Sequence, residues 1–173
     1  MTIIIIGSLF SSCNQDPDDN DDDNMILPDL TATIDVSGAV TANYTFTNPE
    51  NGGSNATHSM IAGHANANSM FSITGLNAAY TFAVAASMPG VQVGNFSITS
   101  ANYGHLESQP AVGFPEVVSG NINITNSQVL WTVGVTTIYS IDGTWSVELS
   151  DGETPPSTVT FTGSFDNLAV TGS

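Results

Sequence analysis

From Leu30 onward the chain is written in short runs that alternate apolar residues with Thr, Ser or Asn, and this period of two constrains its fold most. In Thr144-Trp145-Ser146-Val147-Glu148-Leu149, the residues Trp145, Val147 and Leu149 point one way and Thr144, Ser146 and Glu148 the other. In Thr158-Val159-Thr160-Phe161-Thr162, Val159 and Phe161 make the apolar side. Successive side chains of a strand leave opposite faces, so such runs read as strands with one face in a core and one in water. The clearest are residues 32–36, 42–47, 69–74, 80–86, 95–99, 121–125, 129–135, 144–149 and 158–163, with a short one near 168–171. No stretch sustains a helical period over three turns.

Turn chemistry separates these runs. Ser37-Gly38, Asn48-Pro49-Glu50-Asn51-Gly52-Gly53, Met88-Pro89-Gly90, Asp142-Gly143 and Asp151-Gly152-Glu153-Thr154-Pro155-Pro156 are read as turns. Gly and Asn supply positive φ, and Pro presets turn geometry. The last of these loops should join 144–149 to 158–163 as a hairpin. Residues 101–118, with Tyr103-Gly104-His105 and Phe114-Pro115, read as a long loop carrying at most a short strand. Many short strands with such turns predict an all-β domain, an antiparallel β-sandwich or a barrel-like variant. No internal repeat of fixed period is present.

The chain has no Lys and no Arg and a formal net charge of −16. Six of its acids are Asp16, Asp18, Asp19, Asp21, Asp22 and Asp23; the other ten follow. Folding must therefore rest on apolar burial and backbone ladders, without Lys or Arg ion pairs. Nucleic acid is excluded as a partner, because phosphate binding needs Lys or Arg to release counterions. Electrostatic attachment to anionic lipid is excluded for the same reason.

The first 29 residues belong to another regime. Ile3-Ile4-Ile5-Ile6-Gly7-Ser8-Leu9-Phe10 is an apolar run, too short to span a bilayer, which takes about 20 residues. It fits the h-region of a secretory signal, although Met1-Thr2 brings no positive charge. Leu9-Phe10-Ser11-Ser12 then leads into Cys13, the sole cysteine, so no intrachain disulfide can form. Residues 16–24 are all Asp, Asn and Pro, cannot bury a core and repel one another, as a solvated tether does. The expected division is a signal over 1–12, a lipidated Cys13 with its acidic tether over 13–29, and one domain over 30–173.

Leu9-Phe10-Ser11-Ser12-Cys13 resembles a lipobox, in its relaxed Bacteroidota form. Ile141-Asp142-Gly143-Thr144-Trp145-Ser146-Val147, followed by Ser157-Thr158-Val159-Thr160-Phe161-Thr162-Gly163-Ser164-Phe165-Asp166-Asn167, resembles the C-terminal half of small all-β surface lipoproteins of Bacteroidota. Those families are mostly of unknown function and carry no catalytic residue over to this chain. The resemblance implies lipid on Cys13, which holds the protein to the outer membrane. It implies an export signal in Asp16, Asp18, Asp19, Asp21, Asp22 and Asp23 that sends it to the cell surface.

Within the domain, chemistry-bearing residues are sparse. His58 and His64 would share a face on a strand, and His105 is the third histidine. None stands in an H-x-x-x-H or H-E-x-x-H spacing, and a zinc site needs three or four ligands in tight geometry. The tether aspartates lack the glycine and terminal Glu of a calcium loop. No cofactor is expected. There is no Gly-x-Ser-x-Gly elbow. The carboxylates Glu107, Glu116, Asp142 and Glu148 are scattered, so no enzyme is expected. Tyr44, Tyr103, Trp131, Tyr139 and Trp145 would serve a glycan-stacking platform or the core. The leading expectation is a non-enzymatic lipoprotein with a structural or interaction role. The alternative is a glycan-binding module of a surface uptake system.

Overall fold

A computed structural model describes residues 29–48, 59–65, 70–76, 80–105 and 112–172. Cys13, the aspartates from Asp16 to Asp23, His58 and Glu107 lie outside the described residues, as does most of the expected 48–53 turn. Ten strands and no helix occur among the described residues. They are β1 (Leu30–Gly38), β2 (Ala42–Asn48), β3 (Ser59–Ala65), β4 (Met70–Leu76), β5 (Tyr80–Ser87), β6 (Gly94–His105), β7 (Val112–Phe114), β8 (Glu116–Val133), β9 (Thr136–Ser150) and β10 (Thr158–Gly172).

The domain is all-β, as the alternating runs predict. Every pairing is antiparallel except β10 with β3, where Val170, Thr171 and Gly172 run parallel to Ala62, Gly63 and His64. β10 is the branching strand. It pairs with β9 along its length, with β1 over its first half and with β3 at its end. From β3 the pairings continue through β4, β5, β6 and β8 to β9. β2 extends beyond β1, and β7 beyond part of β6, so free edges remain.

The sheet folds back on itself in a sandwich-like way, and aromatic rings show where. The Phe161 ring of β10 lies 5.3 Å from Phe82 of β5 and 5.8 Å from Tyr103 of β6, centroid to centroid. Neither strand is its neighbour in the ladder, so these contacts cross the core. Trp145 of β9 joins them at 6.1 Å from Phe161 and 5.5 Å from Phe165. Tilted and offset arrangements suit the ring quadrupoles at these separations. Trp145, Val147, Leu149, Val159 and Phe161 are all buried, so both alternating runs face as their sequence requires. The 151–156 loop joins β9 to β10 as a hairpin, with Ser150 opposite Thr158.

Five sequence expectations need correction. Asp142-Gly143 is not a turn but lies inside β9. A side chain at Gly143 would meet the Phe165 ring at 2.7 Å, so that glycine makes room for a core aromatic. Residues 121–125 and 129–135 are one strand, β8, whose register slips between Ile124 and Asn126 and between Val129 and Trp131. Only Gly134-Val135, at its end, forms a turn. The supposed loop over 101–118 holds the end of β6, all of β7 and the start of β8. β3 was not foreseen, and the run near 168–171 is the second half of β10.

Candidate functional site

Of the histidines singled out for metal chemistry, His64 is the one whose side chain lies among the described residues. His64 is buried, and its Nε2 lies 2.8 Å from the Met88 carbonyl oxygen, a structural bond between β3 and the β5–β6 turn. Among the described residues no group of three His, Cys, Asp or Glu side chains is placed to hold a metal.

The carboxylates do structural work. Asp142 Oδ1 accepts the Asn167 N–H at 2.8 Å, and its Oδ2 accepts Asn126 Nδ2 at 3.0 Å. One carboxylate thus ties together the bulges of β8 and β10 on either side of β9. Asn167 itself sits at φ 59, a left-handed conformation that Asn tolerates. Asp151 accepts the N–H groups of Glu153 and Ser157, both at 3.0 Å, and so shapes the β9–β10 loop. The Glu153 N–H is the main reason that the Asp151 carboxyl lies below its ordinary range, with Ser157 adding to it. Glu116 and Glu148 occupy the outer face of β8 and β9 near that loop, since Glu116 pairs with Ser150 and Ser119 with Glu148. They are exposed and half-buried, not enclosed in a cleft.

The five aromatic candidates divide. Tyr103 and Trp145 belong to the core. Tyr44, half-buried on β2, shares a 2.9 Å hydrogen bond between its hydroxyl and that of Tyr103. The Trp145 Nε1–H is buried with no hydrogen-bond partner, among rings. Trp131 and Tyr139 remain, and both stand on the β8–β9 hairpin.

That hairpin is the most unusual surface of the domain. From Thr125 to Tyr139 no residue is buried. Such a segment should be rich in charge, yet Asp and Glu are absent from Val117 to Ile141. Instead it exposes Val129 at 54 %, Val133 at 60 % and Val135, at the turn, at 90 %. Gly134 supplies the positive φ of 62 that a two-residue hairpin turn requires at its first central position. Val133 is opposite Thr136 and Trp131 opposite Ile138, so Trp131, Val133 and Ile138 share one face. The other face carries a 3.2 Å bond between the hydroxyls of Thr132 and Thr137. An exposed apolar patch on a folded domain marks an interaction site. Alternation alone marked 129–135 as a strand with a buried face. The missed signal was the long uncharged interval in a chain otherwise so acidic.

Four of the eight acids among the described residues stand at the opposite pole. β9 runs from the hairpin turn at Thr136 to Ser150, and there Glu116, Glu148, Asp151 and Glu153 surround the β9–β10 loop. The domain therefore has an uncharged apolar end and an acidic end. No protein-family model matches this chain, and no curated protein or solved structure matches it either.

Proposed function

We propose that the chain is a lipid-anchored, surface-exposed bacterial lipoprotein whose all-β domain has a structural or interaction role and not a catalytic one. The observation that carries this reading is the sole cysteine, Cys13, set between an apolar run ending in Leu9-Phe10-Ser11-Ser12 and a run of six aspartates. Lipid chains contribute about 0.8 kcal/mol per buried CH₂, and one myristoyl chain binds only marginally. The two or three chains of a bacterial lipoprotein suffice for stable attachment, so the domain needs no spanning segment. A stable all-β domain that exposes an apolar hairpin supports the interaction role.

Mass spectrometry of membrane-extracted protein should find Cys13 as the lipidated N-terminus. A Cys13→Ala chain should leave the membrane fraction; unchanged anchoring would defeat the reading. Replacing the six aspartates by Ser should lower antibody labelling on intact cells at equal total protein. Constant labelling would reduce the acidic run to a spacer.

A further inference from the structure

We propose that the β8–β9 hairpin end is a membrane-docking surface, and that its occupant is the interfacial region of a zwitterionic bilayer. The inference rests on the anchor reading for which bilayer is met, and on the fold for how it is met. The face formed by Trp131, Val133 and Ile138, with Val135 at the turn, is apolar but for Thr136; Val133 and Val135 are exposed, and Trp131 and Ile138 half-buried. Tyr139, half-buried, packs its ring toward the core just behind it. Trp and Tyr favour the membrane–water boundary, where an apolar ring and a polar tip are both satisfied.

The direction of the chain selects the bilayer over other occupants. β1 runs antiparallel to β10, with Thr31 opposite Asp166 and Gly38 opposite Val159. β10 runs from the acidic loop toward the hairpin end, where Gly172 lies opposite Thr137. The chain thus enters β1 at Leu30 from the hairpin side of the domain. Leu30 stands near the level of Ile141 and Asp142 in β9, because Asp166 lies between Phe165, opposite Gly143, and Leu168, opposite Ile141. From there β9 extends about 20 Å to Thr136 at roughly 3.4 Å per residue. Residues 13–29 reach at most about 60 Å when extended. An anchor on Cys13 and the Val135 turn can therefore meet one surface together.

Charge complementarity favours the same pose. The uncharged end meets the bilayer, and the acidic loop carrying Asp151 and Glu153 points away. Anionic lipid would repel a chain of net charge −16, so the surface has to be zwitterionic. Tethering raises the local concentration of the weak hairpin site without any new contact.

Cys13 is the only thiol, so the full chain can be coupled through it to a maleimide lipid in phosphatidylcholine vesicles. With brominated acyl chains, indole emission should be quenched relative to vesicles of ordinary lipid. Trp131→Phe should remove that quenching, since Trp145 is buried. The double variant Val133→Asp, Val135→Asp should reduce it several-fold while circular dichroism stays unchanged. Quenching that is absent, or equal in the double variant, overturns the proposal. It also falls if the uncoupled chain dimerises in sedimentation and the double variant does not, because the surface then belongs to a second copy. Coupling is chemical, so failure here leaves natural lipidation standing, and absence of natural lipid leaves the docking surface standing.

Discussion

Gly163 shows how much a single missing methyl decides. The Trp145 indole lies against it, and an added Cβ would fall inside van der Waals contact with Cζ2 and 2.8 Å from the Thr33 carbonyl oxygen. The ring is wedged among Phe82, Phe161 and Phe165 and has nowhere to move. Gly163→Ala should therefore cost about 1–3 kcal/mol, the range for overpacking a filled core. Urea unfolding checks this, and an unchanged midpoint would refute it. Asp151 gives a second test. Its folded carboxyl is held below the unfolded value by the Glu153 and Ser157 N–H groups. The stability that it contributes is thus present above the unfolded pKa and lost as pH falls through the folded one. The melting temperature of the native chain should exceed that of Asp151→Ala at pH 6, and the gap should close as pH falls below about 4. A gap that stays constant into acid would show that Asp151 acts by something other than its charge. Sequence reading found Trp145 and Phe161 as core residues because alternation states their face. The fit between Gly163 and Trp145 was not legible, since it joins two strands through space.

At the scale of elements, β8 teaches the same lesson from the other side. Alternation read two strands there because each register slip shifts the phase of the pattern, while the hydrogen-bonded strand continues. β3 escaped notice because Ala62, Gly63 and Ala65 give little contrast between faces, and its partner β10 is distant in sequence. The end of β6 was hidden by Asn102 and Gly104, which imitate a turn while Ala101 and Tyr103 enter the core. The outer part of β8 should also be the least stable strand segment. Beyond Ser127, whose hydroxyl donates to the Val91 carbonyl oxygen at 3.1 Å, β8 pairs only with β9 among the described residues. Amides from Val129 to Val135 should exchange with deuterium well before those from Trp145 to Leu149, because local opening there exposes no buried residue. Equal protection would mean that something covers the hairpin in solution.

For the whole molecule, the absence of cations leaves every long-range interaction between its side-chain charges repulsive at neutral pH. Salt screens such interactions over about 10 Å at 0.1 M. Raising sodium chloride from 10 mM to 500 mM should lift the melting temperature by several degrees, where ion-paired domains lose or hold. A fall would imply attractive pairs that this composition does not provide. The all-β class and the polarity of the individual hairpins were legible in local patterns. The contrast between an acidic end and an apolar end was not, because it arises only when β8, β9 and β10 lie side by side. Cys13 and its aspartates, by contrast, are legible only in sequence.

β10 is the last strand of the chain, and it is the strand on which β1, β3 and β9 all lean. Thr33 and Ser164, whose hydroxyls meet at 2.9 Å, are separated by 131 positions. During synthesis, residues 158–172 arrive after the other nine described strands. Until they do, β1 has only β2 beside it, β3 only β4, and β9 only β8. The strands from β3 to β9 can by then pair in a row, but β1 and β2 stand apart from it as a lone hairpin, too small to hold a core. Completion must wait for contacts of high sequence separation, which form slowly. Such an order of assembly leaves the β1–β2 hairpin and the row from β3 to β9 unjoined until β10 emerges, and makes that strand the trigger of closure.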